Sequence, residues 1–374
     1  MRVSLVDPSA FTPPYDRSLA AALARAGHEV ELLTSRFSYG PVPAVEGYAV
    51  REMFYRRSTR RAPGSRLRLP VKALEHPLDM LRLRAALAGT DVAHYQWLTL
   101  PALDRFLLPP SRGRPRLATL HYPLPPPSDS RGLRRQRRIL NRFDAVISHT
   151  ADGARRLRRD VGVDGDRVHQ IPHGPLDYLT RLVNEEPLPD DLRGVEGPVI
   201  LFFGLLRPYK GIDLLLQAFA EIEGAELWIA GMPRMPLEPL RALAAKAEGT
   251  VRFIPRFIRD PEIPALMRRA ELLVLPYREI EQSGVLYTGL AFEKPMILSD
   301  VGGFGEISRE QGVGALVPPG DVGALAVLLA DLLADSAGRE RLASACRGAV
   351  EGPYSWDAIA AATAALYERL GNDA

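Results

Sequence analysis

The chain of 374 residues is 46% hydrophobic and 25% charged, a composition typical of a globular protein and a length that fits two domains. A single cysteine, Cys346, excludes an internal disulfide and a cysteine-based metal cluster. Asp7 interrupts the short apolar run at the N-terminus, which predicts a strand and not a signal peptide, and no apolar run approaches the ~20 residues of a membrane span. We therefore expect a cytoplasmic protein.

The net charge of +3 is unevenly distributed along the chain. Residues 1–180 hold 29 Lys+Arg and 17 Asp+Glu, a net charge of +12, whereas the remaining 194 residues hold 19 and 28, a net charge of −9. Such asymmetry predicts that the first half meets an anionic ligand or surface. Because zinc-finger spacing and basic helices with interleaved aromatic residues are missing from the sequence, nucleic acid is not an expected partner.

The first elements predict a βαβ opening, with a strand at 2–7, a helix at 17–26 capped by Asp16, and a strand at 29–34. No G-x-G-x-x-G motif follows the first strand, so a dinucleotide-dependent dehydrogenase is not expected. Residues 51–68 are predicted to form an exposed, arginine-rich loop, and a second arginine cluster lies at 131–138. Solvated surface and contact with an anionic membrane or phosphorylated acceptor are both open for these clusters, each cation near a charged membrane contributing about 1 kcal/mol.

The rest of the first half predicts four more strands, at 91–97, 117–121, 144–148 and 168–172, and a helix at 152–159. His121 stands at the carboxyl end of its strand, which is where the ligand clefts of parallel sheets form. His94 lies within a strand, where a packed core histidine is the alternative to a site residue. The polar segment 176–197 is predicted to be the linker between two domains.

The second half opens with the segment ILFFGLLRPYKG, which predicts a buried strand at 199–203, a turn at Gly204 and a helix from 212. Arg207 and Lys210 lie in the loop before that helix. Two cations beside a helix N-terminus suit a diphosphate, although two solvated surface cations are the alternative.

Strands and helices then alternate, which predicts an α/β fold with a doubly wound parallel sheet. The predicted strands lie at 226–230, 251–254, 272–276, 296–299 and 316–318, and the helices at 212–222, 236–247, 261–269 and 284–292, with two more in 321–350. In the segment QSGVLYTGLAFEKPMILSDVGG, a Ser-Gly turn opens a helix, Pro295 ends it, and a Gly-Gly turn follows the next strand.

Together these two segments resemble the nucleotide-sugar-binding half of glycosyltransferase family 4, retaining enzymes of the GT-B fold. The resemblance implies two Rossmann-like doubly wound domains facing across a cleft. The N-terminal, acceptor-side domain would span 1–176 together with a C-terminal helix, 354–374, that crosses back to it. The nucleotide-sugar-binding domain would span 177–353.

The resemblance also implies site residues. The expected catalytic groups are His121, Arg207 and Lys210. The expected donor-binding groups are Gly204, Arg207, Lys210, Arg256, Glu281, Ser283, Gly284, Val285 and Thr288, and the acceptor-side candidates are Tyr15, Asp16, His94 and His173. The chain departs from the family pattern at Leu205, where an arginine is usual, and at Ile280 and Thr288, which occupy the positions of a Glu-x7-Glu pair.

The activity implied is transfer of a sugar, by a hexosyltransferase-type enzyme, from a nucleotide diphosphate sugar to an acceptor hydroxyl in glycan, polysaccharide or glycolipid assembly. No cofactor or metal is expected. The expected acceptor is a sugar or a lipid-linked molecule, with peripheral contact at the inner face of an anionic membrane. The alternatives are a sugar-nucleotide epimerase or hydrolase of the same fold and a non-catalytic nucleotide-sugar-binding protein; a phosphorylase-like enzyme lacks a signature in the sequence.

Overall fold

The computed structural model describes residues 1–38, 40, 42–62, 64–111, 113–121, 124–280 and 282–372. The chain forms two compact α/β units. The first unit comprises residues 1–174 and the C-terminal segment that begins at Trp356, and the second comprises residues 175–355. The chain passes from the first unit to the second between residues 174 and 175 and returns to the first between residues 355 and 356. The boundaries predicted from the sequence are 176/177 and 353/354.

The first unit is built on a parallel sheet that, within the described residues, has seven strands in the order β3-β2-β1-β4-β5-β6-β7. Its strands are β1 Arg2–Asp7, β2 Glu29–Ser35, β3 Ala49–Phe54, β4 Val92–Tyr95, β5 Arg116–Leu120, β6 Ala145–Ser148 and β7 Val168–Gln170. Its helices are α1 Pro13–Arg25, α2 Arg68–Ala86, α3 Pro101–Leu107, α4 Ser130–Leu140, α5 Ala151–Arg156 and, from the C-terminal segment, α14 Trp356–Asn372. The strand order reverses between β1 and β4, and ligand crevices of such sheets form at the carboxyl ends of the strands at this point.

The second unit repeats this architecture with a parallel sheet of six strands in its described part, ordered β10-β9-β8-β11-β12-β13. Its strands are β8 Val199–Phe203, β9 Glu226–Ala230, β10 Thr250–Ile254, β11 Leu272–Leu275, β12 Met296–Ser299 and β13 Ala315–Val317. Its helices are α6 Asp190–Arg193, α7 Ile212–Ala218, α8 Glu238–Ala244, α9 Ile263–Arg269, α10 Gly284–Ala291, α11 Gly302–Gln311, α12 Val322–Ala334 and α13 Ser336–Glu351. Here the strand order reverses between β8 and β11.

The start of α1 differs from the prediction. The helix begins at Pro13 and not at residue 17, because two prolines at its first positions carry the φ angle a helix needs and lack only an N–H that would be unpaired there. Asp16 is therefore not the helix cap. It lies in the first turn of α1, where it is buried.

Residues 51–68 are not a single loop, because β3 occupies their beginning and α2 starts at Arg68. Exposed charged residues on β3 and Pro77 within α2 obscure both elements in the sequence. The Gly302–Gly303 pair, expected to form a turn, is instead the beginning of α11.

The predicted linker 176–197 packs onto the second unit. Leu179 and Leu192 are buried in the core of that unit, each with a side chain 1% exposed. Glu185 pairs with Arg268, and the backbone N–H of Glu186 donates to the Pro261 carbonyl at 2.8 Å. The polar composition of the segment reflects these surface ion pairs.

The C-terminal helix α14 packs within the first unit, as the sequence predicts. The Trp356 ring lies 5.3 Å from the Tyr15 ring, and a side chain at Gly174 would collide with Trp356. Tyr367 on α14 shares a hydrogen bond of 2.6 Å with His94 Nδ1. Each helix in the described part of the chain is too short or too polar to cross a membrane.

Candidate active site

The two segments singled out in the second half of the sequence meet at the strand reversal of the second unit. Gly204 directly follows β8, and Lys210 ends a short 3-10 turn, Pro208–Lys210. A Cβ atom on Gly204 would lie 2.9 Å from Val285 Cγ2, at the start of α10, and 3.1 Å from Lys210 Nζ. The glycine turn, the lysine and the N-terminus of α10 therefore surround one small space.

A second glycine, which the sequence analysis did not identify, makes this approach possible. Gly231 follows β9 with φ of +151°, and a Cβ there would lie 1.8 Å from the Gly204 carbonyl oxygen. Gly204 itself has φ of +109°, a conformation that L side chains rarely adopt. The signal that could have found Gly231 is its position directly after a buried strand.

Lys210 and Arg207 supply positive charge to this space. Lys210 is 6% exposed and its Nζ lies 4.8 Å from the centre of the Tyr277 ring. Burial, with a smaller contribution from Arg207, lowers the pKa of Lys210 to about 8. No carboxylate among the described residues pairs with either cation. Two cations held together without an internal counterion favour an external anion.

The N-terminus of α10 provides polar groups beside the cations. Ser283 caps the helix, and its Oγ accepts a hydrogen bond of 3.3 Å from the Val285 backbone N–H. The amide of Val285, one of the expected donor-binding residues, thus already has a partner in the cap. Thr288 Oγ1 donates to the Gly284 carbonyl at 3.0 Å, and Glu281 lies outside the described residues.

Arg256 follows β10 and forms two hydrogen bonds with the Glu262 carboxylate, of 3.0 and 2.6 Å. This bidentate pair raises the pKa of Arg256 and satisfies much of its guanidinium. The expected contact with a nucleotide base would require the pair to open.

In the first unit, three histidines stand together at the carboxyl ends of β5, β6 and β7. The ring of His149 lies 5.0 Å from that of His121 and 5.2 Å from that of His173. Tyr15 of α1 packs against all three, at 4.6 Å from His121 and 4.8 Å from His173. The structure thus brings the predicted residues His121, His173 and Tyr15 into one cluster. His149 was not among the predicted site residues, although it directly follows the predicted strand 144–148.

Hydrogen bonds order this cluster. His149 Nδ1 donates to the Ile171 carbonyl at 2.9 Å, and its Nε2 lies 3.3 Å from His121 Nδ1. His121 Nε2 lies 2.9 Å from Gln96 Oε1, at the end of β4. Burial lowers the pKa of His149 to about 4 and that of His173 to about 3, and it lowers the pKa of His121 well below its usual range. These rings are therefore neutral at pH 7 and act as polar, uncharged groups.

His94 differs from the other three histidines. It is 1% exposed, and its ring nitrogens hydrogen-bond Tyr367 at 2.6 Å and Thr119 at 2.7 Å. Both ring nitrogens are thus occupied within the core, as the packed-core alternative for His94 expects.

Asp16 lies beside Asp7, and both carboxyls are buried. Asp7 accepts backbone hydrogen bonds from Phe11 at 2.6 Å and Ser9 at 3.1 Å, and it thereby shapes the loop after β1. Burial raises the pKa of both acids, and the negative charge of Asp7 raises that of Asp16 further. Asp16 Oδ1 accepts a hydrogen bond of 3.4 Å from Thr12 Oγ1, in the loop after β1.

A lysine that the sequence analysis missed lies next to this loop. Lys72 Nζ donates a hydrogen bond of 2.7 Å to Ser9 Oγ and lies 4.6 Å from the centre of the Tyr55 ring. Burial, followed by the charge of Arg68, lowers the pKa of Lys72 to about 8. The hydroxyls of Ser9 and Thr99 are 2.7 Å apart. Hydroxyls, aromatic rings and a cation together suit a polar, anionic ligand.

Comparisons with known proteins show the family to which the chain belongs. Residues 16–174 match a family model described as Glycosyltransferase Family 4, and residues 197–335 match one described as Glycosyl transferases group 1. A phosphatidyl-myo-inositol mannosyltransferase of Mycobacterium leprae is 30% identical over 300 residues, which cover 75% of this chain and 74% of that protein. A D-inositol 3-phosphate glycosyltransferase of Xylanimonas cellulosilytica is 27% identical over 383 residues, which cover 94% of this chain and 90% of that protein.

Among solved structures, a sucrose-phosphate synthase from Thermosynechococcus elongatus superposes with a TM-score of 0.73. It is 22% identical, and the match covers 100% of both chains. The family models span most of both units, and the relatives share most of the chain length. The chain therefore belongs to glycosyltransferase family 4 and is a glycosyltransferase of the GT-B fold.

Proposed function

We propose that the enzyme transfers a sugar from a nucleotide diphosphate sugar to an acceptor hydroxyl with retention of configuration at the anomeric carbon. The observation that carries the proposal is the pair Lys210 and Arg207, held without a described carboxylate partner beside Gly204 at the strand reversal. The bond that breaks joins the anomeric carbon to the β-phosphate oxygen, where negative charge then grows. Fixed cations next to that oxygen stabilise the transition state more than the ground state.

Retention follows from attack on the same face of the sugar that the diphosphate leaves. The new bond joins the anomeric carbon to the acceptor oxygen, and the acceptor proton passes to the departing phosphate oxygen. This step needs no carboxylate nucleophile, no metal and no cofactor. The donor groups of the second unit are Gly204, Arg207, Lys210 and the Ser283–Val285 turn; Arg256 joins them once its pair with Glu262 opens.

The first unit supplies the groups for the transferred sugar and the acceptor. Neutral His121 exchanges hydrogen bonds with sugar hydroxyls, and Tyr15 and His173 hold it in place through the ring cluster. Lys72, beside the Ser9 and Thr99 hydroxyls, binds an anionic group of the acceptor. A phosphorylated or lipid-linked acceptor fits this arrangement and the positive charge of the first half, and it places the enzyme against an anionic membrane face.

The test begins with a thermal-shift screen against UDP-, GDP-, ADP- and dTDP-sugars, where a ligand at ~100 times its Kd adds about 2.7 kcal/mol to the unfolding free energy. The stabilising donor is then incubated with acceptor candidates, and the product anomer is assigned by NMR. We expect a retained anomer. Arg207→Ala and Lys210→Ala should each lower turnover by about 10²-fold or more, because a preorganised charge at a phosphate is typically worth ~3 kcal/mol.

The matched control is Arg241→Ala, which removes an exposed arginine of α8 in the same unit and should leave turnover unchanged. Epimerisation of the donor, its hydrolysis as the sole reaction, or an inverted product would each contradict the proposal. Binding of a donor with no turnover for any acceptor would favour the non-catalytic alternative.

A further inference from the structure

The helix α2 carries apolar side chains on the face that points away from the core. Leu74, Leu78 and Leu81 are 81%, 52% and 62% exposed. Their spacing of four and three residues aligns them along one side of the helix. Exposed leucines scattered singly need no explanation, but an aligned row marks an interaction surface.

The row is separate from the face that α2 uses for packing. The buried residues of the helix are His76, Asp79, Met80 and Leu83. His76 and Asp79 fix this orientation, because His76 Nε2 bonds Asp104 at 2.8 Å and Asp79 accepts from the Tyr55 backbone N–H at 2.8 Å. The helix therefore cannot rotate its leucines inward without breaking buried hydrogen bonds.

The neighbouring helix α3 adds to the exposed apolar surface. The His76–Asp104 bond ties α3 to α2. Leu103 and Phe106 of α3 are 42% and 70% exposed. Two adjacent helices thus present large apolar side chains to solvent.

Arginines accompany this surface. Arg84 lies to one side of the leucine row and Arg82 to the other, as their positions on the helix require. Exposed arginines also stand in the segment before α2 and on α4, at 56, 57, 60, 61, 66, 131, 134, 135, 137 and 138. These ten form no ion pair with a carboxylate in the part of the chain that is described.

In the second unit, by contrast, most arginines form ion pairs. There, arginines at 181, 193, 252, 256, 259, 268, 269, 278, 309, 341 and 347 each pair with a carboxylate. The unpaired arginines of the first unit are therefore a local feature and not a property of the whole chain. Within the described residues, these arginines have no carboxylate partner, and the exposed leucine row of α2 has no apolar surface packed on it.

We propose that α2 lies in the plane of an anionic membrane, with Leu74, Leu78 and Leu81 at the boundary of the acyl chains and the arginines among the lipid headgroups. An apolar row combined with basic flanks is the pattern of helices that lie in a membrane interface. A second copy of the chain would bring like charges together around the row, which disfavours self-association. The inference rests on the proposed membrane contact but not on the transferase reaction, so binding alone tests it.

The experiment compares sedimentation of the full chain with vesicles of phosphatidylglycerol and phosphatidylcholine against vesicles of phosphatidylcholine alone. The triple variant Leu74→Gln/Leu78→Gln/Leu81→Gln keeps helix propensity and removes the apolar row. We expect wild-type protein to favour the anionic vesicles and the triple variant to bind them about tenfold or more weakly at both low and high salt. The matched control, Val183→Gln/Val327→Gln, removes exposed apolar residues of the second unit and should bind as wild type does.

The variant Arg134→Gln/Arg135→Gln/Arg138→Gln separates the two contributions. It should weaken binding in low salt, at about 0.1 M, and approach wild type at about 1 M, where charge is screened. Circular dichroism checks that the exposed substitutions leave folding intact. Wild-type binding by the leucine variant would overturn the inference. So would a wild-type dimer, detected by ultracentrifugation, that the leucine substitutions dissociate while vesicle binding is absent.

Discussion

Lys210 is the residue in which burial most directly opposes the proposed function, because burial disfavours the charge that a phosphate site needs. The residue is 6% exposed, its ammonium group lies over the Tyr277 ring, and desolvation lowers its pKa to about 8. A lysine in water keeps its proton to a pKa of about 10.4. Near neutral pH the cation is therefore retained against a desolvation cost, which a bound diphosphate would offset.

This balance predicts a pH dependence for nucleotide binding. Above pH 8, free Lys210 loses its proton, so the affinity for nucleoside diphosphate should fall by up to about tenfold per pH unit until the pKa of the bound state is reached. Titration calorimetry from pH 7 to pH 10 measures this fall.

Lys210→Arg is the matched variant, because arginine keeps its charge throughout the range. Its affinity at pH 7 should drop through altered geometry, and its fall between pH 8 and pH 10 should disappear. An unchanged pH profile in Lys210→Arg would show that another group controls binding.

Among elements, the turn between β8 and the Pro208–Lys210 segment sets the geometry of the proposed phosphate site. Gly204 has φ of +109°, and its Cα faces Lys210 Nζ and Val285. Gly231, after β9, allows the Gly204 carbonyl to pass closely. The adjacent strands β8 and β9 are thus each followed by a glycine. Because these glycines have no side chain, the Lys210 ammonium group and the start of α10 can lie close together beside the turn.

Gly204→Ala should therefore reduce nucleotide affinity as well as stability. The new methyl group displaces Lys210 Nζ and Val285 Cγ2, and the strained backbone costs ~1–3 kcal/mol. Thermal unfolding and calorimetry measure the two effects. Gly348→Ala is the control: it lies within α13 with open space at its Cβ, and alanine there should raise stability slightly and leave binding unchanged. If Gly204→Ala loses stability but keeps its affinity for the nucleotide, the turn does not shape the nucleotide site.

The sequence predicts those elements whose residues form a clear local pattern of apolar and turn residues, and it does not predict the others. The buried strands and Gly204 were predictable because apolar runs and turn glycines are local signals, as in 199–204. β3 and α2 were not, since edge-strand charges and Pro77 mask their periodicity. The encounters of Gly231 with Gly204 and of Lys72 with Ser9 depend on strand order and loop packing, which no local pattern encodes.

At the scale of the whole molecule, charge is divided between the two units. The first unit has 30 Lys+Arg and 19 Asp+Glu, and the second has 18 and 26. The positive unit contains the unpaired arginines, whereas the negative unit neutralises most of its own. Within the negative unit, Lys210 and Arg207 are a local positive site. This division fits the proposed donor site in the second unit and the proposed contact of the first unit with an anionic surface.

The most direct test of the central claim is a crystal structure of the chain with a bound nucleoside diphosphate. We expect the β-phosphate at the strand reversal of the second unit, within ~3 Å of Lys210 Nζ and next to Arg207 and the Ser283–Val285 turn. A nucleotide bound instead in the first unit, in the loop at residues 8–16, would contradict it.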